Sequence, residues 1–214
     1  MPLFINEVVW SFGTTAILYC YSLRGLSVIA AFNISNSVNN LFSIVFISMG
    51  TAIAIMVGGV LGEGNKEKAK DTDTKLLAFS VSICFALALL MIALSPVIPK
   101  IYNTTAEVRS LATRFMMIVA CYMPVHAFMH GTYFTLRAGG KTLVTFLFDS
   151  GVVAFLSLPV AFVLARFTSL TIEMVYILVL SVDLIKVVFG LILLKKGVWL
   201  NNLVKEDKTE DKVC

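Results

Sequence analysis

The sequence predicts an all-α fold: a polytopic membrane bundle of six transmembrane helices. Three observations carry this. Of 214 residues, 58% are hydrophobic and only 14% are charged, against roughly 45–50% and about 25% in soluble domains. The mean hydropathy is +0.91, and apolar residues fall in runs of the ~18 or more that a lipid-spanning helix needs. Lysine and arginine gather between those runs, alternately dense and sparse.

The first apolar run predicts a helix over about 2–21, followed by the break Ser22-Leu23-Arg24-Gly25. The second helix, about 27–61, is the longest and carries Asn33, Ser35, Asn36, Ser37, Asn39 and Asn40. At 1.5 Å per residue it exceeds the ~20 residues that cross the hydrocarbon, so it kinks, tilts or projects. Residues 63–75, EGNKEKAKDTDTK, read as a hydrophilic loop. The third helix is placed at about 76–98, ending near Pro96 and Pro99. The fourth covers about 105–136, with Thr104 and Glu107 as a capping box and Pro124 as a kink. Leu136-Arg137-Ala138-Gly139-Gly140-Lys141 forms a tight basic turn. The fifth helix runs about 142–165 with Pro159 inside it, and the sixth about 170–194. Residues 1–198 thus form a six-helix lobe, with Trp199 at the interface and residues 199–214 as a charged cytoplasmic tail.

Orientation follows from the basic loops. One side holds eleven, Lys66, Lys68, Lys70, Lys75, Arg137, Lys141, Lys195, Lys196, Lys205, Lys208 and Lys212. The other holds four, Arg24, Lys100, Arg109 and Arg166. The richer side is expected in the cytoplasm with both termini, in a cell membrane. These charges form no continuous basic face, so the net +4 does not indicate a nucleic-acid partner. Cys20, Cys84, Cys121 and Cys214 lack metal or redox spacing. No cleavable signal peptide is expected, because Met1-Pro2-Leu3 enters the apolar run without a basic segment or a small-residue cleavage site.

Polar groups inside spans are costly, and each is a functional candidate. Glu7, one turn before Trp10, is a candidate coupling group for H⁺ or Na⁺, or an acid at the membrane edge. Asp149 is a cavity acid or a partner of Arg137 or Lys141. Asp183 and Lys186, three apart, read as a structural pair. Arg114 has no acid nearby in sequence. His126 and His130 share a helix face and read as cavity lining, since two ligands alone make a weak metal site. Asn33 and Asn36 line a pathway or pack helices, and Gly58 and Gly62 permit close helix approach.

These features in this order resemble the C-terminal half of the MATE (multidrug and toxic compound extrusion) family, its seventh to twelfth helices. Leu136-Arg137-Ala138-Gly139-Gly140-Lys141-Thr142 followed by Asp149 is similar to the family's LRAGGDT turn, with Lys141 where an aspartate usually stands. Pro2 to Glu7, then Trp10 and Gly13, resemble the start of the seventh helix. Gly25 with Ile29 to Ile34, Gly58 to Gly64, and Lys195 to Trp199 resemble later landmarks. The resemblance implies one lobe of a two-lobed exporter that exchanges H⁺ or Na⁺ for small organic cations or drugs. It assigns Glu7 to coupling or substrate contact, needs no cofactor beyond the coupling ion, and implies an N-terminal six-helix lobe absent from this sequence. Two other functions remain open: a lipid-linked precursor flippase of the same superfamily, which would place several arginines mid-helix, and a non-transporting membrane subunit or remnant. No nucleophile–base constellation, metal box or phosphate loop suggests an enzyme.

Overall fold

A computed structural model describes residues 2–200. The described residues are helical throughout apart from short turns, arranged as six rods. The rods are α1 (Pro2–Ser22), α2 (Leu26–Gly62), α3 (Lys66–Leu94) and α5 (Ala106–Ala138), with the single turn α4 (Ile98–Ile101) between the last two. The fifth rod joins α6 (Thr142–Phe146), two wide π turns (Leu147–Gly151 and Val153–Ser157) and α7 (Leu158–Phe167). The sixth joins α8 (Ile172–Ser181) to α9 (Asp183–Lys196). Five rods are long and apolar enough to cross a membrane: α2, α3, α5, Thr142–Phe167 and Ile172–Lys196. The first, α1, has 21 residues and carries Asn6, Glu7, Ser11, Thr14 and Thr15 within its apolar run.

Four local expectations are corrected. Most of the charged stretch read as a loop is helix, because α3 starts at Lys66. Asn65 caps it by accepting from the Lys68 amide at 3.0 Å, Glu67 sits in its first turn, and Lys, Glu and Ala are good helix formers. Thr105, not Thr104, caps α5, accepting from the Val108 amide at 3.3 Å. The fifth rod is not one regular helix. Pro159 has no amide and its ring crowds the carbonyl four residues back, and the widened turns lie immediately upstream. The sixth rod breaks at Val182, where Ser181 Oγ bonds back to the Ile177 carbonyl at 2.8 Å.

Three buried clusters hold the rods together. One joins Tyr21, Val28, Phe115, Ala161 and Tyr176 at one end. Its aromatic rings meet edge-on, as in Tyr21–Tyr176 at 5.8 Å and Phe115–Tyr176 at 5.2 Å. A second packs Val38, Phe46, Met91, Met116 and Met123 between α2, α3 and α5. The third closes the opposite end with Ile53, Leu61, Leu77, Leu136 and Trp199. Trp199, expected at the interface, is 1% exposed and packs with Leu200 in that cluster, so both belong to the helical body. The Gly139 α-carbon faces the Trp199 carbonyl so closely that a β-carbon would strike it. Gly140 and Gly197 close their turns at φ 72 and 63, where other residues are strained.

A β-carbon at Gly58 would meet only Ala138, at 3.9 Å, and Gly62 is exposed; tighter approaches occur at other glycines. Gly50 faces the Phe134 ring, Gly131 faces Leu77, and Gly13 faces Val153. Two arginines, Arg24 and Arg114, tie rods together. Arg24 donates to the carbonyls of Leu164 at 2.9 Å and Thr168 at 2.5 Å, satisfying the end of α7. Arg114 finds Glu173 on α8, with Nε 2.8 Å from Oε1. Cys20 and Cys84 are buried small hydrophobes, whereas Cys121 is exposed.

Candidate functional site

Five of the six rods surround a cavity of about 710 Å³, while α3 packs behind α2 and α5 and contributes nothing to the lining. From α1 come Glu7, Trp10 and Thr14, from α2 Asn36, Asn40 and Phe46, and from α5 His126, His130, Tyr133 and Arg137. The last two rods add Asp149, Tyr176, Asp183 and Lys186. The expected site residues Glu7, Trp10, Asn36, His126, His130 and Asp149 therefore meet in one place. Asn33 does not join them. Phe32 takes the lining position one residue earlier, and Asn33 is exposed and outside the lining. Of the turn residues, Arg137 reaches the cavity, while Gly139 and Gly140 shape the turn behind it.

The cavity wall holds a linked set of charges. Lys186 is 6% exposed, and its Nζ lies 3.7 Å from Asp149 Oδ1 and 3.6 Å from Asp183 Oδ1. His126 Nε2 is 3.5 Å from Asp183 Oδ2. The Asn6 side-chain amide donates to Asp149 Oδ2 at 3.3 Å. Ser150 Oγ in turn donates to the Asn6 oxygens at 2.7 Å. Asp149 thus pairs with Lys186, not with Arg137 or Lys141, because α9 lies against the widened turn that carries it. The Asp183–Lys186 pair is present as spacing predicts, but it is joined to a second rod. Asp183 also begins α9, where the helix N-terminus favours an acid.

Glu7 is exposed at the cavity rim and borders a second, more open groove with Val8, Ser11, Phe12 and Thr15. Among the described residues, no ion pair involves it. The His130 ring lies 4.9 Å from that of Phe46, so it packs as part of the aromatic wall. No three of the described His, Cys, Asp or Glu residues group so as to hold a metal ion. Sequence reasoning missed Asn6, Phe46, Tyr133, Asp183 and Lys186 as site residues. For the last two the signal was there: an acid and a base inside an otherwise apolar span.

The cavity is drug-sized, since such pockets hold about 300–1,000 Å³. Its lining combines aromatic rings and carboxylates with the basic side chains of Arg137 and Lys186. Comparison with known proteins finds multidrug resistance proteins among the relatives. The chain is 26% identical over 98 residues to multidrug resistance protein MdtK of Edwardsiella ictaluri, covering 46% of the chain and 21% of that protein. It is 24% identical over 177 residues to probable multidrug resistance protein YoeA of Bacillus subtilis, covering 83% of the chain and 38% of that protein. It is 29% identical over 107 residues to multidrug resistance protein NorM of Aliivibrio fischeri, covering 50% and 23%. The chain thus spans well under half the length of these relatives. No solved structure matches it significantly. The MatE family profile matches residues 2–164, most of the chain. A polytopic helical bundle with this match, and with these relatives, belongs to the MatE family of membrane transporters.

Proposed function

We propose that this chain is the C-terminal lobe of a secondary-active exporter, which moves small organic cations or drugs in exchange for H⁺ or Na⁺. The observation that carries the reading is the cavity of about 710 Å³, where Glu7, Asp149 and Asp183 converge with Trp10, Phe46, Tyr133 and Tyr176. Acids attract a cationic substrate, and aromatic faces hold it by cation–π contact. Methionines such as Met129 add adaptable surface for varied ligands. The cavity leaves Glu7 at an open rim, where a second, N-terminal six-helix lobe completes the site. Alternating access then works by one lobe rocking against the other around a central site. The chain sits in the cell membrane with both termini in the cytoplasm, following its basic loops.

The test is efflux of a cationic dye from cells that lack their own exporters. The full chain is expressed alone, with a candidate N-terminal lobe, and as Glu7→Gln with that lobe. The expected result is efflux only with both lobes, falling to background in the variant. Failure of the lobes to associate, together with no efflux, would overturn the two-lobe reading. Efflux unchanged by Glu7→Gln would remove Glu7 from coupling.

A further inference from the structure

We propose that the Lys186 ammonium is a built-in occupant of the carboxylate pair Asp149 and Asp183, standing where a monovalent metal cation would otherwise bind, so that this site exchanges protons and not Na⁺. The inference deepens the exporter reading and rests on it for its role, though not for its geometry.

Every carboxylate oxygen in the pair has a partner. Lys186 faces one oxygen of each acid, at 3.7 and 3.6 Å. Asn6 holds the second oxygen of Asp149 at 3.3 Å, and His126 lies 3.5 Å from the second oxygen of Asp183. A Na⁺ ion seeking these oxygens would meet the ammonium charge within a few ångströms, and in a partly dry cavity that repulsion is strong. Lys186 has little room to withdraw. It is 6% exposed, and one turn further on Gly190 sits against Thr132, Phe128 and Phe148.

A proton feels the same repulsion, but it needs no coordination shell of its own: it rides on an existing side chain and displaces nothing. Two carboxylates and one ammonium leave a single negative charge on these three side chains, and one proton taken up by the cluster balances it. Charged and titratable groups on the surrounding elements do not supply that balance at contact range. Glu7 on α1 adds negative charge at the rim, and α2 contributes only neutral polar groups such as Asn36 and Asn40. Besides His126, α5 presents His130, Tyr133 and Arg137, and Tyr176 faces the cavity from α8. Among the described residues, Arg137 forms no ion pair with Asp149 or Asp183.

The experiment measures ion binding and not transport, so a silent efflux assay would leave it informative. The full chain is purified in detergent near neutral pH. Its thermal unfolding midpoint is compared in sodium chloride and in choline chloride at equal ionic strength. The parent chain and Lys186→Arg are expected to show the same midpoint in both salts. Lys186→Met empties the position, and sodium is expected to raise its midpoint by about 2 °C or more, since a ligand that binds the native state stabilises it. Lys186→Gln replaces it if the methionine variant does not fold. The proposal is overturned if sodium stabilises the parent chain and Asp149→Asn removes the effect, or if both neutral variants ignore sodium.

Discussion

Asn6 on the first rod donates its side-chain amide to Asp149 Oδ2 on the fifth, 143 residues away, at 3.3 Å. The same amide lies 3.4 Å from the Tyr133 hydroxyl on α5, and the Asn6 carbonyl oxygens accept from Ser150. One residue, 2% exposed, therefore ties three rods and fixes the acid of the cavity.

Asn6→Ala is expected to cost about 1–3 kcal/mol, because it strands buried polar partners. Asn6→Asp adds like charge beside Asp149 and costs more. Thermal unfolding in detergent ranks the two, and equal midpoints would remove the charge argument.

Lys186→Ala leaves two carboxylates facing each other without their cation. Breaking a buried pair from one side costs about 3–5 kcal/mol, and the lower end applies here because both acids reach the cavity. Asp149→Asn added to Lys186→Ala removes one of the stranded charges. The double variant is expected to unfold at a higher temperature than Lys186→Ala alone.

Gly139 and Gly59 make a paired test of backbone approach. A β-carbon at Gly139 strikes the Trp199 carbonyl, whereas one at Gly59 meets nothing within 4 Å. Gly139→Ala is expected to lower folded yield and unfolding temperature sharply. Gly59→Ala, in the interior of α2, is expected to be neutral or to stabilise by up to about 1 kcal/mol. Fluorescence-detected size exclusion on heated samples reads both.

Asn65→Ala removes the cap of α3 and is expected to cost about 1 kcal/mol. The loss is local. Hydrogen exchange should quicken at residues 66–70 and stay unchanged at Cys84 and Met91, which are buried deeper in the bundle.

Hydropathy and loop charge made the number and order of the rods legible. They failed where polarity and secondary structure part company. The stretch from Lys66 to Lys75 is too charged for lipid, yet its residue types build helix readily once Asn65 caps them. The π turns carry no composition mark, since Leu, Phe, Val and Ala suit both geometries. In the candidate site, Glu7, Trp10, Asn36, His126, His130 and Asp149 were findable as polar or aromatic groups in greasy runs. Choosing Asn36 over Asn33 was not possible from a stretch that dense in asparagine. The Lys186–Asp149 pair joins separate rods, so no spacing rule reaches it.

The two widened turns of the fifth rod also set its rotational phase. Each residue advances an α-helix by about 100°, and a π turn holds more residues per turn than an α turn. Ala161 and Ala165 are buried within the cluster at one end, while Asp149 faces the cavity further along the same rod. Winding the same residues as ordinary α-helix would rotate one set against the other. The rod would then seat either its small-residue face or its acid, but not both, so the wide turns are part of what brings that acid to the cavity.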